Sequence, residues 1–529
     1  MNRFDWLSEL LARCEDEHIL VRSGSAVQLA PAHVLNIDAE DWGRLAQIAS
    51  DLGYRWSALW AEEANAERLL LNACFEHRGD YLVIRTRINP ADPVLPSHTP
   101  AYPAANRPER HAQDMFGIRF RDHPDNRRWA RHQAWTEKQF PLRKNFPQMG
   151  NGDVKTPPDM DYPFFQAQGS GVYEIPVGPV HAGIIEPGHF RFQAVGETVL
   201  NLEERLGYVH KGIEKIAEGR DAFGLAKLAG RISGDTTVAH TWAACMAMEH
   251  AARLRVPARA LNIRAILAER ERIANHLGDI GAICNDVAFS FAFMQFGRLR
   301  ENLQRLNYSI FGHRLLMDVV IPGGVSLDVT PEHLDQLLQQ GKALAKELDG
   351  LLPMLDDLPS LEDRLLGTGI LTPDMAKKMG TVGYVGKASG QDYDLRRDHG
   401  YAPYNRLTVQ SPVYQEGDVA QRVQVRADEI RYSLQLLEQL LTTLPSGNNL
   451  SQSCSFTDQA EGIGMVEGWR GEIISYVRFD DQQRVSRFFA RDPSWLTWPA
   501  LEQMIHGNIV PDFPVCNKSV NGSYSGHDL

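Results

Sequence analysis

A chain of 529 residues with 43% hydrophobic content has enough apolar material for two or three domains, each with a core of its own. Its formal net charge of -12 excludes a general nucleic-acid binder. No run of about 18 apolar residues occurs, so no segment is expected to span a bilayer.

The first twenty residues carry Asp5, Glu9, Glu15 and Asp16. A signal peptide starts basic and continues apolar, so cytoplasmic residence is expected. Six scattered cysteines, with no CxxC pair, point to free thiols rather than disulfides, zinc or an iron–sulfur cluster held by this chain alone.

The elements follow in chain order. Helices are expected over 5–17 and 39–52, and period-two alternation predicts a strand over Tyr81–Ile88. Six prolines between Pro90 and Pro108 argue against ladders and most helix there. A charge-rich segment spans 109–146. A Gly/Pro/Asp-rich stretch then reads as a linker, giving units 1–150 and 175–529 with linker 151–174. Residues 175–201 are strand-like, and 203–317 turn helical. Within 261–284 the apolar residues take one face, and Arg264, Glu269, Arg270, Glu271 and Arg272 are expected to cover the other. Further helices are expected over 331–352 and 423–441, with strands over 462–489. The fold class is α+β, with an α+β N-terminal unit followed by a mostly helical unit that has a β-rich entry.

The run Glu109-Arg110-His111 through Asp114, Phe116, Gly117, His123, Pro124 and Asp125 to Arg127 and Arg128, closed by Pro141-Leu142-Arg143-Lys144, resembles the signature of the 30-kDa subunit of complex I, the NADH:quinone oxidoreductase. His111 and Asn145 stand where Glu and Asp are usual. The resemblance implies a docking domain.

From residue 178 onward, Gly178-Pro179-Val180-His181, Glu186-Pro187-Gly188-His189-Phe190, Tyr208 to Lys215, Glu271 to His276, Pro322 to Val325 and Glu467 to Glu472 resemble the 49-kDa subunit of complex I. They also resemble the large subunit of group 4 nickel–iron hydrogenases, of the hydrogenase-4 and formate hydrogenlyase type. In that family, cysteines in two motifs hold the metals. The matching positions here are Ser233, Thr236, Ser523 and Gly526. A nickel–iron centre needs thiolates, so no metal is expected. The family's maturation tail is also expected to be missing, since the sequence stops at Leu529.

The resemblance implies roles for three survivors: Glu186 as a proton relay that is buried with a raised pKa, His181 as a quinone contact, and Arg470 as a wall of the old site, paired with Asp235 or Glu472. Surface pairing with Lys211 or Lys215 is expected for Glu214. Quinone is the candidate cofactor. The implied partners are an iron–sulfur subunit of the complex I small-subunit type, a ferredoxin-like subunit, and membrane subunits of antiporter-like and H type. The implied location is peripheral, on the inner face of the cell membrane. Three functions stay open: a subunit of an oxidoreductase complex that couples electron transfer to ion translocation without its own nickel–iron centre, a non-catalytic scaffold, and a quinone-binding redox subunit.

Overall fold

In the computed structural model the described residues are 5–23, 29–65, 67–132, 135–150, 161–183, 185–451 and 454–529. Residues 151–160 of the expected linker lie outside them. The chain is α+β.

The N-terminal unit is built on a five-stranded sheet. Its strands run in the order Arg22–Ser23, His33–Ile37, Asp80–Ile88, Arg68–His77, Arg55–Asn65. His33–Ile37 and Asp80–Ile88 pair in parallel, and the other neighbours are antiparallel. Strand Asp80–Ile88 is buried on both faces. Leu82 and Ile84 pack in a core with Trp42, Leu45, Ile48 and Phe75. Tyr81 and Val83 point the other way, into the core of the second unit.

That second face meets a three-stranded antiparallel sheet made of Glu461–Gly468, Gly471–Phe479 and Val485–Arg491. Trp60 stacks on Phe489 at 5.4 Å. Buried ion pairs join the two sheets: Arg55 with Glu472 at 2.8 Å, Arg85 with Glu461 at 2.9 Å and Arg478 with Glu62 at 2.8 Å. On its far side the sheet lies against helix Thr237–Ala251. The approach is close enough that a Cβ on Gly464 would meet the Ala243 carbonyl oxygen at 2.1 Å.

The β-rich entry is a meander of Val172–Val177, His189–Val195 and Thr198–Arg205. Helix therefore does not begin at Glu203, because the strand ladder continues to Arg205. The Pro-rich break also holds regular structure: a short strand, Val94–Pro96, and helix Asn106–Phe116. Pro108 is tolerated there because it sits in the helix's first turn, where no backbone donor is needed.

Helix Ala258–Asp286 is the axis of the second unit, flanked by Ser290–Phe311 and Val419–Thr442. It is buried nearly all round, so its expected charged surface face does not exist. Arg264 instead pairs with Glu249 at 2.6 Å, Arg272 with Glu429 at 3.3 Å, and Glu269 with Arg396 at 3.0 Å. A buried charge needs such partners. The charges of segment 109–146 are likewise used within the chain. Arg110 and Arg127 hold Asp125, Arg127 also reaches Glu203, and Lys144 binds Glu218.

Candidate functional site

Two segments almost 300 residues apart meet at the site. Asn521 takes a left-handed conformation, φ 40°, at the end of helix Phe513–Val520 and turns the chain into the short helix Tyr524–Asp528. This brings Ser523 against Ser233, with their hydroxyl oxygens 2.9 Å apart. Ser233 Oγ donates to Asp235 Oδ1 at 2.7 Å, and Thr236 Oγ1 donates to the same oxygen at 2.9 Å. The Gly526 amide donates to Ser523 Oγ at 2.9 Å. The four positions Ser233, Thr236, Ser523 and Gly526 are thus brought together.

Arg470 lies across this group. It sits with Trp469 in the two-residue turn between strands Glu461–Gly468 and Gly471–Phe479, where Gly468 and Gly471 are the last paired residues. The turn is seated against Gly383, a left-handed residue with φ 61°. A Cβ there would meet the Arg470 carbonyl oxygen at 2.1 Å. The Arg470 guanidinium grips Asp235 with both terminal nitrogens, at 2.8 and 2.6 Å. Its Nε donates to the Asn521 carbonyl at 2.7 Å. Trp469 Nε1 donates to the Asp235 carbonyl oxygen at 3.0 Å, and the guanidinium stacks 3.9 Å over the Trp469 ring. Burial would raise the Asp235 carboxyl, but the Arg470 charge overcomes it and holds the group below the usual carboxylate range. Of the two expected partners Arg470 takes Asp235. Glu472 belongs to Arg55, Arg491, Tyr81 and Tyr393.

These residues do not fit a nickel–iron centre. Two serine hydroxyls, a third hydroxyl from threonine and a glycine replace the soft donors it requires. A Cβ on Gly526 would lie 2.7 Å from the Asp492 carboxylate. Cys516 is buried, and burial pushes its thiol up to about 11, far from the thiolate that a metal needs. The cleft lined by Gly234, Asp235, Glu271 and Asn275 measures about 10 Å³, room for about one water molecule. A quinone ring does not fit in it.

His181 and Glu186 both reach the C-terminal segment. His181 Nε2 lies 3.5 Å from the Tyr524 hydroxyl, and its Nδ1 lies 3.2 Å from the Pro179 carbonyl oxygen. Glu186 accepts the Ser525 amide at 3.0 Å. Its side chain is exposed on this chain and not buried as expected, because it lies with residues 185–187 on the surface beside the C-terminal turn. Lys211 Nζ donates to the carbonyls of Ile232 and Ser525, at 3.2 and 3.1 Å, and ties the two motifs from the same side. Glu214 also departs from expectation. It is 4% exposed and faces Arg487 at 3.4 Å, and burial raises its carboxyl, while Lys215 pairs with Glu218.

Sequence reasoning missed one pair behind the site. His240 Nε2 and Asp492 Oδ2 lie 2.8 Å apart, both fully buried. Asp492 also accepts the Ser494 amide and backs Gly526. The only signal was a histidine inside the apolar run of helix Thr237–Ala251.

Family profiles match three parts of the chain. Residues 35–152 match the respiratory-chain NADH dehydrogenase 30-kDa subunit, 286–460 and 452–528 match its 49-kDa subunit, and 211–278 match nickel-dependent hydrogenase. Formate hydrogenlyase subunit 5 of Escherichia coli is 32% identical over 450 residues, 85% of this chain and 79% of that protein. The chain belongs to this superfamily of fused complex I 30-kDa/49-kDa subunits and nickel–iron hydrogenase large subunits. Hydrogenase-4 component G of Escherichia coli is 34% identical over 449 residues, 85% of this chain and 78% of that protein. The fused C/D protein of the NADH-quinone oxidoreductase of Phocaeicola vulgatus is 31% identical over 414 residues, 75% of this chain and 79% of that one. Among solved structures, a chain of the membrane-bound sulfane sulfur reductase, an archaeal respiratory membrane complex, superposes with a TM-score of 0.64 at 27% identity. The match covers 68% of this chain and 99% of that one. Among the described residues no helix is long and apolar enough to cross a membrane.

Proposed function

We propose that this superfamily member is the hydrogenase-type subunit of a membrane-associated oxidoreductase complex that couples electron transfer to ion translocation, and that it works without a nickel–iron centre of its own. The observation that carries this reading is the Arg470–Asp235 ion pair with its hydroxyl partners, held where the family binds metal. It supplies charge and hydrogen bonds, and no soft donor. The row Ser523, Ser233, Asp235 is hydrogen-bonded end to end, the arrangement that proton movement requires. Glu186 is exposed and accepts the amide of Ser525, two residues beyond Ser523, and it is the residue we assign to pass protons in or out. Electron carriers belong to the partners: an iron–sulfur subunit of the complex I small-subunit type and a ferredoxin-like subunit. Antiporter-like and H-type membrane subunits would move the ion. The chain itself would sit peripherally on the inner face of the membrane.

The test is elemental analysis of the complex, purified through a tag on this chain, with its co-purifying subunits identified. Iron without nickel, together with the subunits named above, is the expected result. One nickel per complex overturns the reading. A purely scaffolding role predicts that Glu186→Gln and His181→Gln leave turnover unchanged. Quinone binding is supported by the half-buried His181 facing the hydroxyl of the buried Tyr524, and it predicts labelling of one of them by a photoreactive quinone analogue.

A further inference from the structure

A second group of ionisable side chains lies in the core of the helical unit, away from the Arg470–Asp235 pair. Helix Ala258–Asp286 contributes Glu269, Arg272 and His276, and helix Val419–Thr442 contributes Glu429. Lys387 comes from Gly383–Ala388, Asp394 and Arg396 from the turn that follows, and Glu467 from strand Glu461–Gly468. None of the eight is more than 2% exposed.

The charges can be counted. Lys387 bonds Asp394 at 2.6 Å and Glu429 at 2.7 Å. Arg396 bonds Asp394 at 2.7 Å and Glu269 at 3.0 Å. Arg272 lies 3.4 Å from Glu269 and 3.3 Å from Glu429. Three cations therefore meet three carboxylates in a closed set. Glu467 is the fourth carboxylate, with no cation left for it among the described residues. Its Oε2 accepts one backbone amide, that of Leu395, at 3.2 Å, and its Oε1 has no hydrogen-bond partner among the described residues. An unpaired buried carboxylate is too costly to keep ionised, so the group holds a proton instead. Burial, reinforced by the negative charge of Asp394 and opposed by Lys387, Arg272 and Arg396, pushes Glu467 up to about 8.

The same set contains a buried histidine. His276 Nε2 lies 2.7 Å from Glu429 Oε2, while its Nδ1 is buried with no partner among the described residues, and burial lowers the imidazole below its usual value. Its ring meets Trp469 edge-on at 5.9 Å, next to Arg470 in sequence. We propose that Glu467 is a buried proton-holding site, a neutral acid beside a charge-balanced set of three cations and three carboxylates. Tyr401, whose hydroxyl accepts the Glu467 amide at 3.2 Å, is a further titratable group against this residue. The use of this proton in coupling rests on the proposed function, whereas the protonation of Glu467 does not.

Infrared difference spectroscopy on the purified complex tests the inference. Spectra are taken below and above pH 8 for wild type, Glu467→Gln and Glu467→Asp. In wild type, one buried carboxylic-acid carbonyl band is expected to disappear as pH rises. Subtracting the variant spectra removes the contributions of other buried acids such as Glu109, Glu204 and Glu271. The band is expected to be absent in Glu467→Gln and displaced in Glu467→Asp. If the first variant does not assemble, the displacement in the second assigns the band by itself. A band unchanged in both variants overturns the proposal, as does its absence from wild type. Nickel content of the same samples reports separately on the function.

Discussion

Arg470 and Asp235, 235 positions apart, form a two-pronged ion pair where the two motif segments meet. The arginine is buried, with 4% of its side chain exposed, and the aspartate is one-third exposed. The pair holds together the two motif segments and the Trp469–Arg470 turn.

Removing the aspartate's charge strands the arginine. Asp235→Asn is expected to cost about 3 kcal/mol, the low end for breaking a buried pair because Asp235 is partly open to solvent. Chemical denaturation of the purified chain measures it. The double variant Asp235→Asn with Arg470→Met should recover much of that loss. Strict additivity of the two single effects would mean that the residues do not act as a pair.

Gly526 reports on how tightly the C-terminal turn is closed against Asp492. In Gly526→Ala the new methyl meets the Asp492 carboxylate at 2.7 Å and Ser523 Oγ at 2.9 Å. Asp492 cannot move without loosening its bond to His240. A loss of about 1–3 kcal/mol is expected, as for other overpacked sites, read as a lowered melting temperature. An unchanged melting temperature would show that this position has room to spare.

The join between the two sheets should be sensitive to acid. Burial would raise Glu461 and Glu472, but the hydrogen bond and charge of Arg85 hold Glu461, and the charges of Arg55 and Arg491 hold Glu472, both down to about 2. Below their ordinary values near 4.5 the unfolded chain takes up protons that the folded chain refuses. The stability these groups contribute is therefore complete above about pH 4.5 and is lost as pH falls from there toward 2. Hydrogen exchange in strand Arg55–Asn65 should accelerate within that window relative to helix Trp42–Asp51. Equal protection of both down to pH 2 would contradict the assignment.

Glu186→Gln keeps an acceptor for the Ser525 amide and removes the ionisable group. The melting temperature should stay the same, as for surface substitutions generally, and whole-complex turnover should fall roughly tenfold or more. Full activity would remove Glu186 from the proton route.

Much of this architecture could be read along the chain. The long helices announced themselves by apolar spacing, and the segments around Ser233 and Ser523 stood out from their residues alone. What could not be read was which distant segments meet. Arg264, Glu269 and Arg272 looked like a solvated stripe because charge alone does not reveal that a helix is surrounded. Their partners Glu249, Arg396 and Glu429 lie up to 157 positions away. Glu186 erred in the opposite sense: its neighbourhood in the sequence is motif-rich, yet the strap that carries it lies on the surface. Asp492 and His240 passed unnoticed because neither is near a recognisable motif, and only folding places them behind Gly526.

The sheet-on-sheet contact of Trp60, Arg55 and Arg85 with Phe489, Glu472 and Glu461 has a consequence for how the polypeptide is organised. Two halves that share buried charges and one apolar seam behave like permanently bound subunits that happen to be translated as one. A tether mainly raises the concentration of one partner around the other, and a seam of this kind does not depend on it. A protease cut in the connecting stretch should therefore leave the halves co-migrating. Expressed alone, either half would present unpaired carboxylates or arginines on an apolar face and would precipitate unless its counterpart were made beside it.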